Sequence, residues 1–409
     1  MTEFDRGPRV RTSPVLLFVV ILLLLTQTTS DAQFQSGSFE FEGLTRNYEV
    51  FLPENFEPNM PLVFLLHGYL QSVELIIDYT LMHEVADTAG FVVVYPEAVW
   101  PGFNSGLTGY PGLPPLDLTV NDVGFLSALI DTMAAHYDID MHRIYSCGFS
   151  LGGEMTYRLA AEKRFRFAAF ASVSGKLNYG IAANYNGTDS PKPILHFHGT
   201  DDEWEIYDWG PSPSNLWSVE ATVDYWLNKN GCVDEAETTS VPDIDPTDGC
   251  TVEEISYTDC SDSTCLIFYK ILNGGHRWPG APPDNNAGGN TSMDIHANTI
   301  IWNFFKNYEV PISAEPVAGS TPTELCLSRI SPNPFRTTTS IVFDLPQLGD
   351  VRISVSDISG RLVMTDVLGT LNAGSYHYVF NGSDLPSGAY FFRLEAEPHS
   401  QVRKVLLVK

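Results

Sequence analysis

Gly148-Phe-Ser150-Leu-Gly152 lies between a short apolar run and a stretch suited to a helix, inside Arg143-Ile-Tyr-Ser-Cys-Gly-Phe-Ser-Leu-Gly-Gly-Glu-Met-Thr-Tyr157. A serine bracketed by two glycines at a strand-to-helix junction leaves the backbone few choices. Without β-carbons at 148 and 152, strand and helix can approach closely, and the serine is held in a strained conformation at the tip of the turn. The N–H of Leu151 then points from the first helical turn toward the place where negative charge would form. Alone, the pattern also fits a glycine-rich turn with an ordinary serine. Three further features favour a nucleophile: His67-Gly68 upstream, and Gly199-Thr-Asp201-Asp202 and Gly274-Gly-His276 downstream.

Taken in order, the chain alternates strands and helices. Residues 39–52 alternate loosely, as a pair of antiparallel edge strands does. Pro61-Leu-Val-Phe-Leu-Leu66 is continuously apolar, the mark of a strand buried on both faces, and ends at the His67-Gly68-Tyr69 turn. Residues 74–89 read as one helix, 91–95 as a strand, and 101–115 as a long Gly/Pro-rich loop. Asn121-Asp122 caps a helix with Val123, Leu126, Ile130, Met133 and Tyr137 on one face. Strands follow at 167–173, 194–198 and 266–272, with helices at 218–228 and around Ile295–Phe305. This order, with strands too apolar for a one-sided sheet, predicts an α/β doubly wound, mostly parallel sheet over residues 33–310. Residues 311–325 have no apolar period and read as a linker. Residues 326–409 hold short β-rich runs separated by Gly, Pro, Asn and Asp, which predicts a small all-β sandwich.

Charge and composition narrow the partners. The chain has 50 acidic and 23 basic residues, a net charge of −27. Residues 33–325 hold 40 acids and 12 bases, so the acidic excess lies there. Nucleic acid and anionic membrane are poor partners for such a surface, whereas an acidic solvated surface suits an extracellular medium. Arg6, Arg9 and Arg11 precede an apolar run from Pro14 to Leu25 and then small and polar residues to Ala32. Residues 1–32 are therefore expected to be a signal peptide, the run being too short for a comfortable membrane span. Export makes disulfides possible for the six cysteines.

Serine-based acyl transfer needs a base to take the serine proton and an acid to hold that base. The order Ser, then Asp/Glu, then His, each at a strand end, is met by Ser150, Asp202 and His276. The adjacent Asp201 is the alternative acid; the Gly-x-x-Asp spacing favours Asp202. His196 and His198, two apart on a strand, share a face and read either as hydrogen-bonded core residues or as a metal pair without a matching carboxylate motif. His83-Glu84 starts like a zinc-protease motif but has Asp at position 87. Asp243, Asp245 and Asp248 before Gly249 loosely follow a calcium loop with incomplete spacing. No metal or cofactor is expected. Trp204 and Trp209 follow Asp202 in one loop and Trp278 follows His276. Flat indoles there suit an aromatic ring or a sugar face, or else pin down long loops.

His67-Gly68-x-x-Gln71, Val94-Tyr-Pro-Glu97, Asn121-Asp-Val123, Gly148-Phe-Ser-Leu-Gly152, His198-Gly-Thr-Asp-Asp202 and Gly274-Gly-His-Arg-Trp-Pro-Gly280 together resemble the polyhydroxybutyrate depolymerase/feruloyl esterase family of α/β-hydrolases, from about Gly37 to Lys306. The resemblance implies a secreted serine carboxylesterase with Ser150, Asp202 and His276 as triad and the N–H groups of Tyr69 and Leu151 as oxyanion hole. Tyr69 departs from the cysteine many relatives carry after His-Gly, which changes the wall of the acyl pocket. Four cysteines within 34 residues of an exported chain favour bridges. Of the three connectivities, the resemblance favours Cys232–Cys260 with Cys250–Cys265, leaving Cys147 and Cys326 as thiols.

The tail resembles a second family. Ser331-Pro-Asn-Pro-Phe335, Val355-Ser-Asp-Ile-Ser-Gly-Arg361, Leu385-Pro-Ser-Gly-Ala-Tyr390 and Arg403-Lys-Val-Leu-Leu-Val-Lys409 are similar to the C-terminal sorting domain of the type IX secretion system, a generic carbohydrate-binding sandwich being the alternative. This implies export through the periplasm of a Gram-negative bacterium, to the medium or cell surface, with the secretion machinery as a partner. Expected substrates are feruloyl or acetyl esters on plant polysaccharide, or hydroxybutyrate-type esters. A peptidase on the same fold and a catalytically silent polysaccharide binder are the competing readings.

Overall fold

The computed structural model describes residues 33–409 except 111, 138, 141, 163–166, 185–190, 209–216, 234, 283–287, 310–313, 318–321, 323, 337, 372, 383–384 and 397. The expected signal peptide and Trp209 lie outside the described residues. So does most of the expected linker.

The first ten strands are β1 (Gln33–Phe41), β2 (Leu44–Leu52), β3 (Leu62–Leu66), β4 (Val92–Pro96), β5 (Ile144–Phe149), β6 (Ala169–Val173), β7 (Ile194–Gly199), β8 (Glu237–Ser240), β9 (Thr251–Tyr257) and β10 (Leu266–Leu272). They form one sheet in the order β1-β2-β4-β3-β5-β6-β7-β10-β9-β8. Strands β4, β3, β5, β6, β7 and β10 run parallel, and antiparallel pairs flank them on both sides. The helices are α1 (Val73–Thr80), α2 (Met82–Ala89), α3 (Asp122–Tyr137), α4 (Leu151–Glu162), α5 (Tyr179–Asn184), α6 (Val219–Asn230) and α7 (Ala297–Phe305).

Alternation along the strands accounts for the two helical layers. Leu62, Phe64, Leu66, Val92 and Val94 bury against α3, α4 and α6, whereas Val63, Leu65, Val93, Tyr95, Tyr145 and Cys147 bury against α1, α2 and α7. A strand covered on both faces favours apolar side chains at every position, which is why β3 and β4 are unbroken apolar runs and the polar Ser146 of β5 is hydrogen-bonded to Thr156. The architecture is the expected α/β doubly wound sheet. The helix expected over 74–89 is two helices, because Leu81 adopts a left-handed conformation at φ 52° and ends one while starting the next. Helix α3 begins on Asn121, whose Oδ1 accepts from Gly124 N–H at 2.9 Å. Its first residue, Asp122, is buried against Arg46 at 2.6 Å, and the Arg46 guanidinium lies 3.7 Å from the Phe125 ring centroid.

One bridge joins Cys232 to Cys260. The second expected bridge, Cys250–Cys265, is absent, and both thiols are buried and free. The sheet register gives the reason. Strands β9 and β10 pair antiparallel from Thr251↔Leu272 to Tyr257↔Leu266, so Cys250 and Cys265 stand at opposite ends of the pair. At ~3.3 Å per residue, eight residues of register put them roughly 26 Å apart, far beyond the reach of a disulfide. Cys147 is a buried thiol and Cys326 a half-buried one, as expected.

Beyond residue 313 the chain forms β11 (Ala314–Val317), β12 (Cys326–Ser331), β13 (Thr338–Leu345), β14 (Gly349–Asp357), β15 (Leu362–Leu371), β16 (Gly374–Asn381), β17 (Gly388–Ala396) and β18 (His399–Leu407). Two four-stranded sheets, β11-β16-β13-β12 and β15-β14-β17-β18, enclose a core that includes Ile341, Phe343, Ile353, Val355, Phe392 and Leu394. Strand β11 falls inside the expected linker and pairs with β16. No described helix of the chain is long and apolar enough to cross a membrane.

Candidate active site

The Gly148–Gly152 segment folds as its composition dictates. Strand β5 ends at Phe149, Ser150 takes φ 53°, and α4 starts at Leu151. A β-carbon on Gly148 would stand 2.3 Å from the Gly152 carbonyl carbon, and one on Gly152 would stand 2.1 Å from Leu66 O. Neither position admits a side chain. Ser150 N–H donates to Val173 O on β6 at 2.9 Å, and Ser150 O accepts from Glu154 N–H at 3.1 Å. The turn is therefore held from both sides, and Ser150 is 8% exposed.

Two backbone segments lie beside this serine. Leu151 is the first residue of α4, so its N–H is one of the four that a helix leaves without an intrahelical acceptor. The turn after β3 brings the other: a β-carbon on Gly68 would lie 3.3 Å from Ser150 Cβ. On either side of Tyr69 the amides are engaged, Gly68 N–H by Gln71 Oε1 at 2.8 Å and Leu70 N–H by Pro101 O at 2.9 Å. His67 braces the same turn. Its Nδ1 donates to Gly68 O at 2.8 Å and its Nε2 accepts from Ala98 N–H at 3.1 Å. Both bonds need a neutral imidazole, and burial lowers the His67 pKa to about 4.

At the same C-terminal end of the parallel strands, the turns after β7 and β10 meet. Asp201 N–H donates to Gly274 O at 2.9 Å, and His276 N–H donates to Gly288 O at 2.7 Å. His276 Nδ1 lies 2.8 Å from Asp202 Oδ2. The carboxylate can only accept, so Nδ1 carries the proton and the neutral imidazole leaves Nε2 unprotonated. The Asp202 Oδ1 accepts from Trp204 N–H at 2.9 Å and Glu205 N–H at 2.7 Å. Burial alone would raise the Asp202 pKa. The charge and hydrogen bond of His276, the neighbouring His198 and the Glu205 amide outweigh burial and lower it to about 2. Asp201 is exposed and bonded to the Thr200 hydroxyl at 3.1 Å, so the geometry pairs the histidine with Asp202. The His276 ring lies 4.9 Å from that of Phe149, the residue before the serine.

The remaining expected residues separate. Trp204 is 58% exposed and follows the acid on the rim. Trp278 is corrected: it is 1% exposed, donates Nε1–H to Asn298 Oδ1 at 2.7 Å and packs in the layer of α1, α2 and α7. An indole beside a strand end gains more from that core than from water. His196 Nδ1 stands 2.7 Å from the Tyr157 hydroxyl, and His198 Nε2 donates to Glu205 O at 2.7 Å. Both rings are buried, stacked at 5.4 Å, and used as core hydrogen-bonding groups. Asp248 and Asp294 accept backbone N–H groups of Cys250, Met293 and Ile244 at 2.6–2.7 Å, so these carboxylates pin the loop before β9. Among the described residues no group of three or more His, Cys, Asp or Glu is placed to hold a metal ion.

Sequence reasoning missed a buried polar cluster behind the serine. Ser105, Tyr110, Glu154, Lys176 and Glu205 meet there, and nothing in their local patterns distinguishes them from surface residues. It also missed Trp100, 68% exposed beside Pro101, whose carbonyl takes the Leu70 amide next to Tyr69.

Residues 46–186 match the family Esterase PHB depolymerase, and residues 329–409 match the secretion system C-terminal sorting domain. A bifunctional acetylxylan esterase/xylanase of Neocallimastix patriciarum is 30% identical over 288 residues, 69% of this chain and 37% of that protein. Feruloyl esterase D of Neurospora crassa is 24% identical over 287 residues, 67% of this chain and 86% of that one. The chain thus spans little over a third of the first relative and most of the second. A solved acetyl xylan esterase from Aspergillus awamori superposes with a TM-score of 0.48 at 16% identity, covering 67% of this chain and 99% of that one. Residues 46–186 thus carry the match to the Esterase PHB depolymerase family, and residues 329–409 the match to the secretion system C-terminal sorting domain.

Proposed function

We propose that the chain is a secreted serine carboxylesterase acting on feruloyl or acetyl esters carried by plant polysaccharide, through Ser150, His276 and Asp202. One observation carries the reading. A serine at φ 53° on a strand-to-helix turn stands at the same C-terminal end of the parallel strands as a histidine whose Nδ1 is 2.8 Å from a carboxylate of low pKa. In this mechanism His276 Nε2 takes the Ser150 proton as Oγ attacks the ester carbonyl, and the Tyr69 and Leu151 amides stabilise the oxyanion. The alcohol leaves with the proton from His276. Water, deprotonated by the same imidazole, then releases the acid. Asp202 holds the imidazole in the tautomer that leaves Nε2 free, and stabilises the cation that forms.

The polysaccharide ester class is supported by the acetylxylan and feruloyl esterases that the chain is similar to, and by the exposed indoles of Trp100 and Trp204. The tail routes the enzyme through the type IX machinery, by way of the periplasm, to the cell exterior. Rates on methyl ferulate, acetylated xylan and a hydroxybutyrate film, with Ser150→Ala as control, test the substrate class. Cleavage of either of the first two above the film is expected. Clearing of the film alone would reverse the preference.

A further inference from the structure

The cluster behind the serine contains two carboxyl groups and one hydroxyl between them. The Tyr110 hydroxyl lies 2.9 Å from Glu154 Oε1 and 2.6 Å from Glu205 Oε1. A hydroxyl has one hydrogen, so it can donate to only one of these oxygens. The other contact is a hydrogen bond only if that carboxyl carries a proton. With both ionised, an oxygen lone pair would face another at hydrogen-bond distance inside the protein, where nothing screens them. Geometry thus requires one protonated carboxyl.

Surrounding charges select which one. Lys176 Nζ stands 3.6 Å from Glu205 Oε2, and donates to Ile206 O at 2.9 Å. Glu154 Oε2 instead accepts from the neutral Ser105 hydroxyl at 2.8 Å. The nearest other cation on α4, Arg158, is directed at Glu162 at 2.7 Å and at Asn104 O at 2.6 Å. His276 favours the charged form of Glu205 and Asp202 opposes it, while Lys176 is the larger of these influences. Glu205 is therefore the ionised member and Glu154 the protonated one. Burial raises both carboxyls: with the Glu205 charge added it pushes Glu154 well above the usual carboxylate range, whereas at Glu205 the Lys176 charge, the Tyr110 hydrogen bond and His276 offset part of the rise.

The two residues belong to different parts of the site. Glu154 sits one turn into α4, its N–H bonded to Ser150 O. Glu205 gives its N–H to Asp202 Oδ1 and takes the His198 Nε2–H on its carbonyl. We propose that Glu154, Tyr110 and Glu205 form a proton-sharing bridge that positions the loop of Asp202 against the helix of Ser150, so that Glu154 and Glu205 are positioning residues for ester hydrolysis. The inference rests on the serine esterase reading above. When Glu154 loses its proton, two carboxylates compete for one hydroxyl hydrogen. The bridge opens, and the Glu205 amide that fixes Asp202 is released.

Two measurements on the full-length mature protein separate this inference from the esterase reading. Carbon-13 NMR of glutamate side-chain carboxyls reads the proton without any substrate. One protonated carboxyl at neutral pH is expected in the wild type, and Glu154→Gln removes that signal. Finding every glutamate ionised at neutral pH would overturn the bridge even in an active esterase. The pH profile of kcat on p-nitrophenyl acetate, corrected for spontaneous hydrolysis, reads its consequence. The wild type loses kcat on the alkaline side. Glu154→Gln, which cannot ionise, moves that limb up by at least about one pH unit, whereas Tyr110→Phe lowers kcat about tenfold or more with KM little changed. An unmoved alkaline limb in Glu154→Gln, or wild-type kcat in Tyr110→Phe, would overturn the positioning role. An inactive wild type that keeps the protonated carboxyl would sink the esterase reading and leave the bridge standing as a structural device only, which also overturns the positioning role.

Discussion

Asp201 and Asp202 are neighbours in sequence and opposites in environment. Asp202 is buried with its two oxygens taken by His276, Trp204 and Glu205, while Asp201 faces water. On this account Asp202→Asn lowers kcat by about 10⁴-fold, as loss of the orienting acid does elsewhere, and Asp201→Asn changes it less than about threefold. Steady-state rates of the two variants decide the matter, and a larger loss in Asp201→Asn would reassign the acid. The same pairing has a pH signature. The Asp202 pKa falls in the folded state to about 2 from an unfolded value near ~3.9, so its stabilisation is complete above the unfolded value and is lost as pH falls toward the folded one. About 2 kcal/mol of stability is expected to disappear between roughly pH 5 and pH 1. Urea unfolding across that range measures it, and Asp202→Asn should flatten the dependence. Arg46 offers a test away from the chemistry. Arg46→Ala strands the buried Asp122 carboxylate and is expected to cost about 3–5 kcal/mol in the same assay.

At the scale of elements, what could be read in advance followed burial. Strands β3, β4, β5 and β7 are buried at every step because both faces are covered, with polar steps at the hydrogen-bonded Ser146, His196 and His198, and their outlines were legible. Strand β8 is exposed along its length and β9 carries Glu253 and Glu254, so neither announces itself. The break at Leu81 has no glycine or proline to signal it. Glycines marked the turns that carry Ser150, Tyr69 and His276, since close backbone approach has a compositional cost that shows in sequence. The Glu154–Glu205 pairing left no such trace, because the two residues are 51 apart and each looks like a surface carboxylate until the fold brings them together. Cysteine spacing likewise could not exclude Cys250–Cys265, which the antiparallel register forbids. Non-reducing peptide mapping should find Cys232–Cys260 alone bridged. Reducing it opens a loop of 28 residues and should cost about 3.5 kcal/mol of stability by the chain-entropy model. A bridged Cys250 or Cys265 would contradict the register.

The whole molecule combines a strongly acidic catalytic part with a nearly neutral tail. Residues 33–325 account for the acidic excess, and residues 326–409 carry eight basic and seven acidic residues. All three candidate triad residues and the ten-stranded sheet precede Tyr308, whose carbonyl accepts from the Tyr145 hydroxyl at 2.8 Å. A chain ending after Glu309 should therefore keep its ester hydrolysis within about twofold and fail to reach the cell exterior. Fractionated activity in the host measures both. An inactive or insoluble truncation would make the sandwich part of the catalytic architecture. The central claim, that Ser150 is the nucleophile, is tested most directly by a fluorophosphonate probe followed by peptide mass spectrometry. One adduct on the Ser150 peptide is expected, absent in Ser150→Ala, together with a loss of at least about 10³-fold in ester hydrolysis. Labelling at another residue, or a Ser150→Ala protein that keeps most of its activity, would contradict the account.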